Sequence, residues 1–177
     1  MIDTSGKGIH LTDVKDGVYF DLLGDGNKLK TAWTARDTDN AWLVLDRNGN
    51  GIIDSGKEMF GSMTDQPDGP DRNGFKALAV FDEPANGGNN DGLIDSRDAV
   101  YSKLRLWIDS NHDGYSQPEE LHTLPALGIE RIDLLYQTRW RRDEYGNMFR
   151  YRARIWDNKG SRGGRWAWDV FLQTNAK

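Results

Sequence analysis

The sequence contains no cysteine, so disulfide bonds and thiolate metal sites are excluded. No apolar run approaches the roughly 18 residues that a membrane-spanning helix requires, and the mean hydropathy is −0.76. The chain does not begin with a basic segment followed by an apolar stretch, so these 177 residues hold no signal peptide. We interpret Met1 as an added start on an excised domain, because the sequence Ile2-Asp3-Thr4 that follows it begins abruptly.

Catalytic signatures are scarce as well. His10, His112 and His122 show no paired metal-binding spacing, and no phosphate-binding glycine loop, nucleophile elbow or dinucleotide fingerprint occurs. Glycine and charge are abundant instead, with 20 glycines in the chain. Residues 1–128 carry 12 basic against 22 acidic side chains, net −10, whereas residues 129–177 carry 11 against 6, net +5. The acidic part is therefore the place to look for chemistry.

The strongest motif is the twelve-residue stretch from Asp109 to Glu120, loop one. Its spacing is typical of an EF-hand loop, in which alternate oxygen donors surround a hard divalent cation and a glycine takes the sharp turn at position 6. The predicted ligands are Asp109, Asn111, Asp113, the Tyr115 carbonyl, Gln117 and Glu120. The alternative is an Asx-rich surface turn. Ser116 stands where an aliphatic residue is usual, which predicts a weak contact with any second loop.

Loop two runs from Asn89 to Asp98 and fits positions 3 to 12 of the same template. Position 1 is displaced, because Asp82 lies upstream of six intervening residues, 83–88. We predict that this insertion loops out, so that Asp82 still reaches the cation. The predicted ligands are Asp82, Asn89, Asp91, the Leu93 carbonyl, Asp95 and Asp98. The alternative is a glycine-rich connector.

Loop three runs from Asp46 to Glu58. It has oxygen donors at positions 1, 3 and 5 and a glycine at position 6, as in loop one, but its last acid comes at position 13 instead of 12, and it follows a predicted strand. We interpret it as a variant calcium loop. Its predicted ligands are Asp46, Asn48, Asn50, the Ile52 carbonyl, Asp54 and Glu58. The stretch from Asp21 to Gly26 is a weaker match, because Leu23 occupies position 3, and we interpret it as a plain turn.

Hydrophobic periodicity predicts an α+β fold for a single calcium-binding domain over residues 1–177. Residues 1–70 are strand-rich, with strands at 18–20 and 41–45. Residues 71–128 form an EF-hand-like helix–loop–helix lobe. Its helices are predicted at Phe75–Phe81, from Ser96 to Trp107, and along Leu121, Leu124 and Leu127 up to Gly128. Residues 129–177 form an antiparallel sheet.

The C-terminal sheet is predicted to contain strands at 129–136, 148–156 and 165–172, with residues 157–160 as a hairpin-like connection. Residues 149–155 alternate between apolar side chains and arginine. The resulting basic stripe of Arg139, Arg141, Arg142, Arg150, Arg152, Arg154, Arg162 and Arg165 lies beside Trp140 and Trp166. It indicates either polyanion binding or a solvated sheet face. The net negative charge favours the solvated face and argues against nucleic acid.

Residues 42–54, 58–61, 74–79 and 104–117, with Glu120-Leu121 and 127–129, together resemble the calcium-dependent self-processing module of iron-regulated RTX (repeats-in-toxin) proteins. The likeness covers residues 3–136 in consistent order. Similar EF-hand-like calcium-binding domains occur in many secreted bacterial proteins. The resemblance implies that calcium drives folding. In the best-known members the module cleaves the Asp–Pro bond at its own start, and the freed aspartate can link to a lysine.

The sequence departs from that family pattern in two places. None of its five prolines follows an aspartate. In the stretch from Asp3 to Ile9, which matches the family's acidic N-terminal loop, Ser5 and Lys7 replace the expected acids. The resemblance therefore supports the calcium loops, transfers no catalytic residue, and leaves enzymatic activity undecided.

From these observations we predict a calcium-binding domain of a secreted bacterial protein, extracellular or at the cell surface, folded and stabilised by two to three Ca²⁺ ions. We expect a monomer whose partners are calcium and other segments of a larger secreted protein, without nucleic acid or a membrane span. Two alternatives stay open. One is a self-processing module whose scissile bond lies upstream of this chain. The other is an adhesion or ligand-binding module that uses the basic C-terminal strands.

Overall fold

The computed structural model describes residues 1–157 and 165–175. Within these ranges the chain forms one α-helix, α1 (Gly74–Ala79), continued by the 3-10 turn Val80–Asp82, and eleven strands. The strands are β1 (Ile2–Asp3), β2 (Val18–Phe20), β3 (Leu29–Thr31), β4 (Asn40–Val44), β5 (Leu93–Ile94), β6 (Arg105–Trp107), β7 (Leu121–His122), β8 (Ile129–Asp133), β9 (Gln137–Arg142), β10 (Met148–Asp157) and β11 (Trp166–Phe171). Residues 158–160 of the predicted hairpin-like connection, and Arg162, lie outside the described residues.

Nine of the described strands form one antiparallel sheet in the order β5-β8-β10-β11-β1-β4-β6-β7, with β9 paired to β10. Strands β2 and β3 form a separate hairpin. Strand β1 joins distant parts of the chain, because Ile2 pairs with Ala41 of β4 and with Ala167 of β11. The three segments predicted from the sequence therefore contribute to the same sheet.

Strand β4 lies between two apolar cores. Because successive side chains of a strand point to opposite faces, Ala41 and Leu43 enter one core and Trp42 and Val44 enter the other. The first core also contains α1 and β8 residues, and the second is largely aromatic. In the aromatic core the ring of Trp33 lies 4.8 Å from that of Trp42 and 5.4 Å from that of Trp107, centroid to centroid.

The predicted α+β fold with an EF-hand-like helical lobe is wrong. The segment predicted as a helix from Ser96 to Trp107 forms turns and then β6, whose Leu106 and Trp107 pair with Leu43 and Trp42 of β4. The third predicted helix is replaced by β7 between the 3-10 turns Pro118–Glu120 and Pro125–Leu127. The apolar spacing in these segments resembled a helical face, but its residues are buried by pairing with a distant strand.

Other predicted elements are confirmed. The first helix exists as α1, and the strands predicted at 18–20, 41–45, 129–136, 148–156 and 165–172 correspond to β2, β4, β8, β10 and β11. Strand β9 was not predicted, because all six of its residues are exposed and it has no apolar alternation to detect. In the described part of the chain, no helix combines the length and apolar character needed to cross a membrane.

Candidate functional site

Loop one begins directly after β6 and is anchored in the aromatic core by its first residue. Asp109 is only 6% exposed. Its Oδ2 accepts the indole N–H of Trp33 at 2.8 Å and the backbone N–H of Gly114 at 2.9 Å, while Oδ1 accepts the N–H of Asp113 at 3.1 Å. Burial raises the pKa of Asp109 in spite of these donors. A cation at this position would therefore stabilise the ionised carboxyl group.

The last residue of loop one, Glu120, closes the loop from the opposite end. Its Oε1 accepts the backbone N–H and the hydroxyl of Ser110, both at 2.9 Å. The indole N–H of Trp107 donates to Oε2 at 3.2 Å. Trp33 and Trp107 therefore each bind a carboxylate at one end of the loop while packing against each other. The indole environment of both residues depends on the charge state of the loop.

The middle of loop one contains the other predicted ligands. The Oδ2 atom of Asp113 accepts the side-chain amides of Asn111 at 2.9 Å and of Gln117 at 2.8 Å. Gln117 and Glu120 also form a capping box, in which the side chain of each accepts the backbone N–H of the other. The Tyr115 side chain points outward and is 60% exposed, so only its backbone carbonyl is available to the loop interior. The chain thus brings all six predicted residues to one loop.

Loop two repeats the start of loop one although six residues separate Asp82 from Asn89. Asp82 accepts the N–H of Asp91 at 3.2 Å and that of Gly92 at 2.8 Å, matching the contacts of Asp109. The inserted residues loop out through a 3-10 turn and return against Asp82. A Cβ on Gly88 would lie 2.1 Å from the Asp82 carbonyl carbon, so this close approach requires glycine.

The far end of loop two is strongly charged. Arg97 pairs with Asp91 at 2.5 Å and with Asp95 at 2.6 Å. Its hydrogen bond to Asp95 holds the pKa of that carboxyl below the usual value. Burial, followed by the nearby carboxylates of Asp82, Asp95 and Asp91, raises the pKa of Asp98, which is 3% exposed. Arg97 is 56% exposed, so its guanidinium can leave for solvent when another cation neutralises these acids.

One oxygen in loop two has no partner. Asp98 Oδ2 accepts the N–H of Asp95 at 2.8 Å, but Oδ1 is buried with no hydrogen-bond donor among the described residues. Leu93 donates its N–H to Asp91 Oδ1 at 3.1 Å, and Asn89 Oδ1 accepts from Asp91 at the same distance. An unpartnered buried carboxylate oxygen is costly, because burial removes the water that would otherwise solvate it.

Loop three follows β4 and brings its two terminal acids into the same arrangement. Asp46 accepts the N–H groups of Gly49 at 2.7 Å and Gly51 at 2.8 Å. Glu58, at position 13, accepts from Arg47 and Asp54, both at 3.0 Å, and so reaches both ends of the loop. The remaining predicted ligands hydrogen-bond to one another. Asn48 Oδ1 accepts the backbone N–H of Asn50, and Asn50 Oδ1 accepts that of Ile52. The side-chain amide of Asn50 donates to Asp54 Oδ2.

Loops one and three contact each other through position 8 of each loop. The Ser116 hydroxyl accepts the backbone N–H of Ile53 at 2.6 Å and lies 3.4 Å from the Ile53 carbonyl oxygen, to which it donates. The sequence predicted a weak loop-to-loop contact because Ser116 replaces an aliphatic residue. The Ser116 hydroxyl instead hydrogen-bonds directly to the backbone of Ile53. The partner of loop one is therefore loop three, which is more than 50 residues earlier in the sequence.

Two further segments share the start of the loop pattern. Asp3 accepts the N–H groups of Gly6 and Gly8, and Asp21 accepts those of Gly24 and Gly26, at 2.8 to 2.9 Å. In all five loops of the described chain, positions 4 and 6 have positive φ. These positions are occupied by Gly6 and Gly8, Gly24 and Gly26, Gly49 and Gly51, Asn90 and Gly92, and His112 and Gly114.

The repeated spacing Asp-x-x-Gly-x-Gly was the sequence signal for this shared backbone. It occurs from Asp3, Asp21 and Asp46. The Asp3 and Asp21 loops have valine and alanine, Val14 and Ala32, at position 12, where the ligand template needs an acid. Both share the turn but lack the far carboxylate, which agrees with the interpretation of the Asp21 stretch as a plain turn and of the Asp3 stretch as a loop without its expected acids.

The carboxylates of the loops are held by donors of the chain itself in this arrangement. Across residues 1–157 and 165–175, no three His, Asp or Glu side chains converge closely enough to form a metal-binding group. In each of loops one, two and three the first and last acids are nevertheless buried, partly or fully, against backbone N–H groups, with polar side chains between them.

Comparison with known proteins places the chain in a family. A profile of the SPM domain matches residues 1–173. The chain belongs to the SPM domain family. It is similar to the iron-regulated protein FrpA of Neisseria meningitidis serogroup C, with 42% identity over 139 residues, or 77% of this chain. The matched part of this chain covers about 12% of the length of that relative. The predicted relationship to iron-regulated bacterial proteins is confirmed at this level.

Proposed function

We propose that this SPM domain is a calcium-binding domain of a secreted bacterial protein, and that two to three calcium ions stabilise its fold. The observation that carries the proposal is the unpartnered buried oxygen of Asp98, Oδ1. It belongs to the predicted ligand at position 12 of loop two. Buried polar atoms normally have partners, and a bound cation would supply one.

The chemistry of the donors favours calcium over other metals. Loops one, two and three offer carboxylate, amide and backbone carbonyl oxygens, which suit hard cations that take six to eight oxygen ligands. The chain has no cysteine. The one histidine in these loops, His112, contacts the Asp16 carbonyl oxygen through Nε2 at 2.7 Å and is the position-4 residue, not a predicted ligand. Nitrogen and sulfur ligands preferred by zinc are therefore not part of the donor set.

Calcium loops in extracellular modules commonly bind with dissociation constants of about 10⁻⁴ to 10⁻³ M. Such values suit a domain that remains without calcium inside the cell and binds it after export. The relationship to an iron-regulated bacterial protein supports this setting. We therefore place the domain outside the cell or at its surface.

Isothermal calorimetry tests the proposal through stoichiometry. The parent protein is expected to bind two to three Ca²⁺ ions, and Glu120→Gln is expected to lose one, because the substitution removes the terminal carboxylate of loop one. Asp98→Asn is expected to lose one in loop two. Glu119→Gln is the matched control, since this neighbouring residue is exposed and its change leaves the loop carboxylates intact. Absence of a calcium-binding heat, or equal losses in Glu119→Gln and Glu120→Gln, contradicts the proposal.

Family membership favours self-processing as a second candidate function. No Asp–Pro bond occurs within residues 1–177, so the cleavage implied by the resemblance requires a bond upstream of this sequence. A segment of the parent protein that extends upstream of residue 1 is expected to be cleaved there on addition of Ca²⁺. Gel electrophoresis and mass spectrometry identify the new ends. The same segment with Glu120→Gln is the control, and a parent segment that stays intact with calcium bound rejects this function.

A further inference from the structure

One face of β9, β10 and β11 carries an array of arginine and tryptophan side chains. We call it the arginine–tryptophan ladder, and it consists of Arg139, Arg141, Arg152, Arg154, Trp166 and Trp168. The sheet register places Arg152 opposite Trp168 and Arg154 opposite Trp166. The array therefore follows from strand pairing and involves three strands.

Three of the four ladder guanidinium groups, those of Arg141, Arg152 and Arg154, lie on aromatic rings. The Arg152 guanidinium carbon is 3.9 Å from the Trp166 ring centre and 5.5 Å from that of Trp168. Arg154 lies 5.1 Å from Trp166 on the same side of the sheet, and Arg141 lies 5.6 Å from Trp168. Stacking restricts each guanidinium to a plane while its N–H groups stay available at the edge. The charged groups are thus ordered before any partner arrives.

The ladder has no acidic ion-pair partner within residues 1–157 and 165–175. Among the described residues, the ion pairs of arginine are made by Arg72, Arg97, Arg150 and Arg165, and no ladder arginine takes part in one. Burial, followed by repulsion from Arg139 and Arg154, lowers the pKa of Arg152. The Arg152 Nε atom is also buried without a hydrogen-bond acceptor. Gathering like charges in this way costs free energy that a bound anion would recover.

Arg150 differs from the ladder although it lies on the same strand. A bulge between Phe149 and Tyr151 interrupts the alternation of β10. Arg150 instead pairs with Asp71 at 2.9 Å and lies 4.8 Å from the Trp140 ring centre. The predicted stripe is thereby divided into a neutralised arginine and an array with no acidic partner in the described chain.

We propose that the arginine–tryptophan ladder binds an anionic polysaccharide. Alternate residues of a strand lie about 6.8 Å apart and neighbouring strands about 4.8 Å apart, so the guanidiniums form a flat array suited to repeated sulfate or carboxylate groups. A stiff sugar chain engages several of them and loses little conformational entropy. Nucleic acid fits less well, because the arginines cover Trp166 and Trp168, which base stacking would need exposed.

The test uses the full chain in calcium-containing buffer and size-defined heparin fragments as the sulfated polysaccharide probe. Parent protein is expected to bind, and Arg152→Gln/Arg154→Gln to raise the dissociation constant at least about tenfold. The control variant Arg142→Gln/Lys103→Gln removes the same amount of charge outside the ladder. It is expected to change the dissociation constant for heparin less than about threefold. Circular dichroism and thermal melting verify folding. If the first variant does not fold, Arg139→Gln/Arg141→Gln on exposed β9 replaces it.

Three results would overturn the proposal. The first is no heparin binding by the parent protein at low salt. The second is an equal loss in the ladder variant and the charge-matched control, which would mean unspecific attraction. The third is tighter binding of single-stranded RNA of equal charge, lost in the same ladder variant, which would assign the surface to nucleic acid. Arg152→Lys/Arg154→Lys, which keeps the charge without the planar stacking, is expected to bind with intermediate affinity.

Discussion

Removing calcium is expected to lower the thermal unfolding midpoint of this SPM domain by about 10 to 30 °C. An ion that binds only the folded state adds about 2.7 kcal/mol at a hundredfold excess over its dissociation constant. For two to three ions the total is about 5 to 8 kcal/mol. In a domain of this size each kcal/mol shifts the midpoint by about 2 to 4 °C. Differential scanning calorimetry in excess Ca²⁺ and after chelation measures the difference.

Tryptophan fluorescence should follow the same transition. The indoles of Trp33 and Trp107 donate hydrogen bonds to Asp109 and Glu120, so recruitment of those carboxylates by calcium changes both indole environments. Magnesium at the same concentration is the matched control, because it demands near-octahedral geometry and keeps its water ligands. A midpoint that chelation leaves unchanged, with unchanged fluorescence, would contradict a structural role for calcium.

The pH dependence of the calcium-free protein provides an internal check. Burial raises the pKa of Asp98 and Asp109 above the ordinary value of 3.8 in the folded state. The folded chain therefore binds these protons more tightly than the unfolded chain does. The resulting stabilisation is present at low pH and is lost as the pH rises through the raised folded-state values. Without calcium, these two groups should contribute more stability near pH 3.8 than at pH 7, and Asp98→Asn should reduce that pH difference.

The second large effect is expected for Asp109→Asn. The substitution keeps the side-chain shape but replaces one carboxylate oxygen with an amide nitrogen, which then faces N–H donors from Trp33, Asp113 or Gly114. Leaving such a buried donor unsatisfied costs about 1 to 3 kcal/mol. Loss of calcium from loop one removes about 2.7 kcal/mol more at saturating ion. Denaturant unfolding with and without Ca²⁺ separates the two contributions.

Asp39→Asn is the matched control for this second prediction. Its side chain is 58% exposed and its nearest cation, Lys7, lies 4.0 Å away, so the same substitution should cost less than about 0.5 kcal/mol. If Asp109→Asn and Asp39→Asn are equally mild in the presence of calcium, Asp109 has no role as a calcium ligand. If Asp109→Asn destabilises the protein equally with and without calcium, the hydrogen bonds alone explain the effect.

The candidate loops could be predicted from the sequence because their hydrogen bonds join residues that are close together in the chain. The position-1 aspartates bond to N–H groups three to five residues later in four of the five loops. Such contacts depend on short spacing and on residues that accept positive φ. Loop two is less local than the others. Asp82 contacts Asp91 only because residues 83–88 loop out, and the sequence alone does not specify the path of that insertion.

The predicted helices failed for the opposite reason. Leu106 and Trp107 satisfy helical spacing locally, but their backbone pairs with β4, more than 60 residues earlier, and Trp107 enters the aromatic core. Secondary-structure preference is a weak local bias, and tertiary burial overrides it when a strand pairing removes more apolar surface from water. The same long-range pairing positions loop one beside Trp33.

By itself, the sequence determined the loops and their oxygen donors, because both depend on contacts within a dozen residues. Tertiary structure alone decided three things: the single antiparallel sheet, the contact between Ser116 and Ile53, and the separation of Arg150 from the arginine–tryptophan ladder. These features depend on strand register and on a bulge. Register follows from the burial of residues far apart in the chain, which no local pattern specifies.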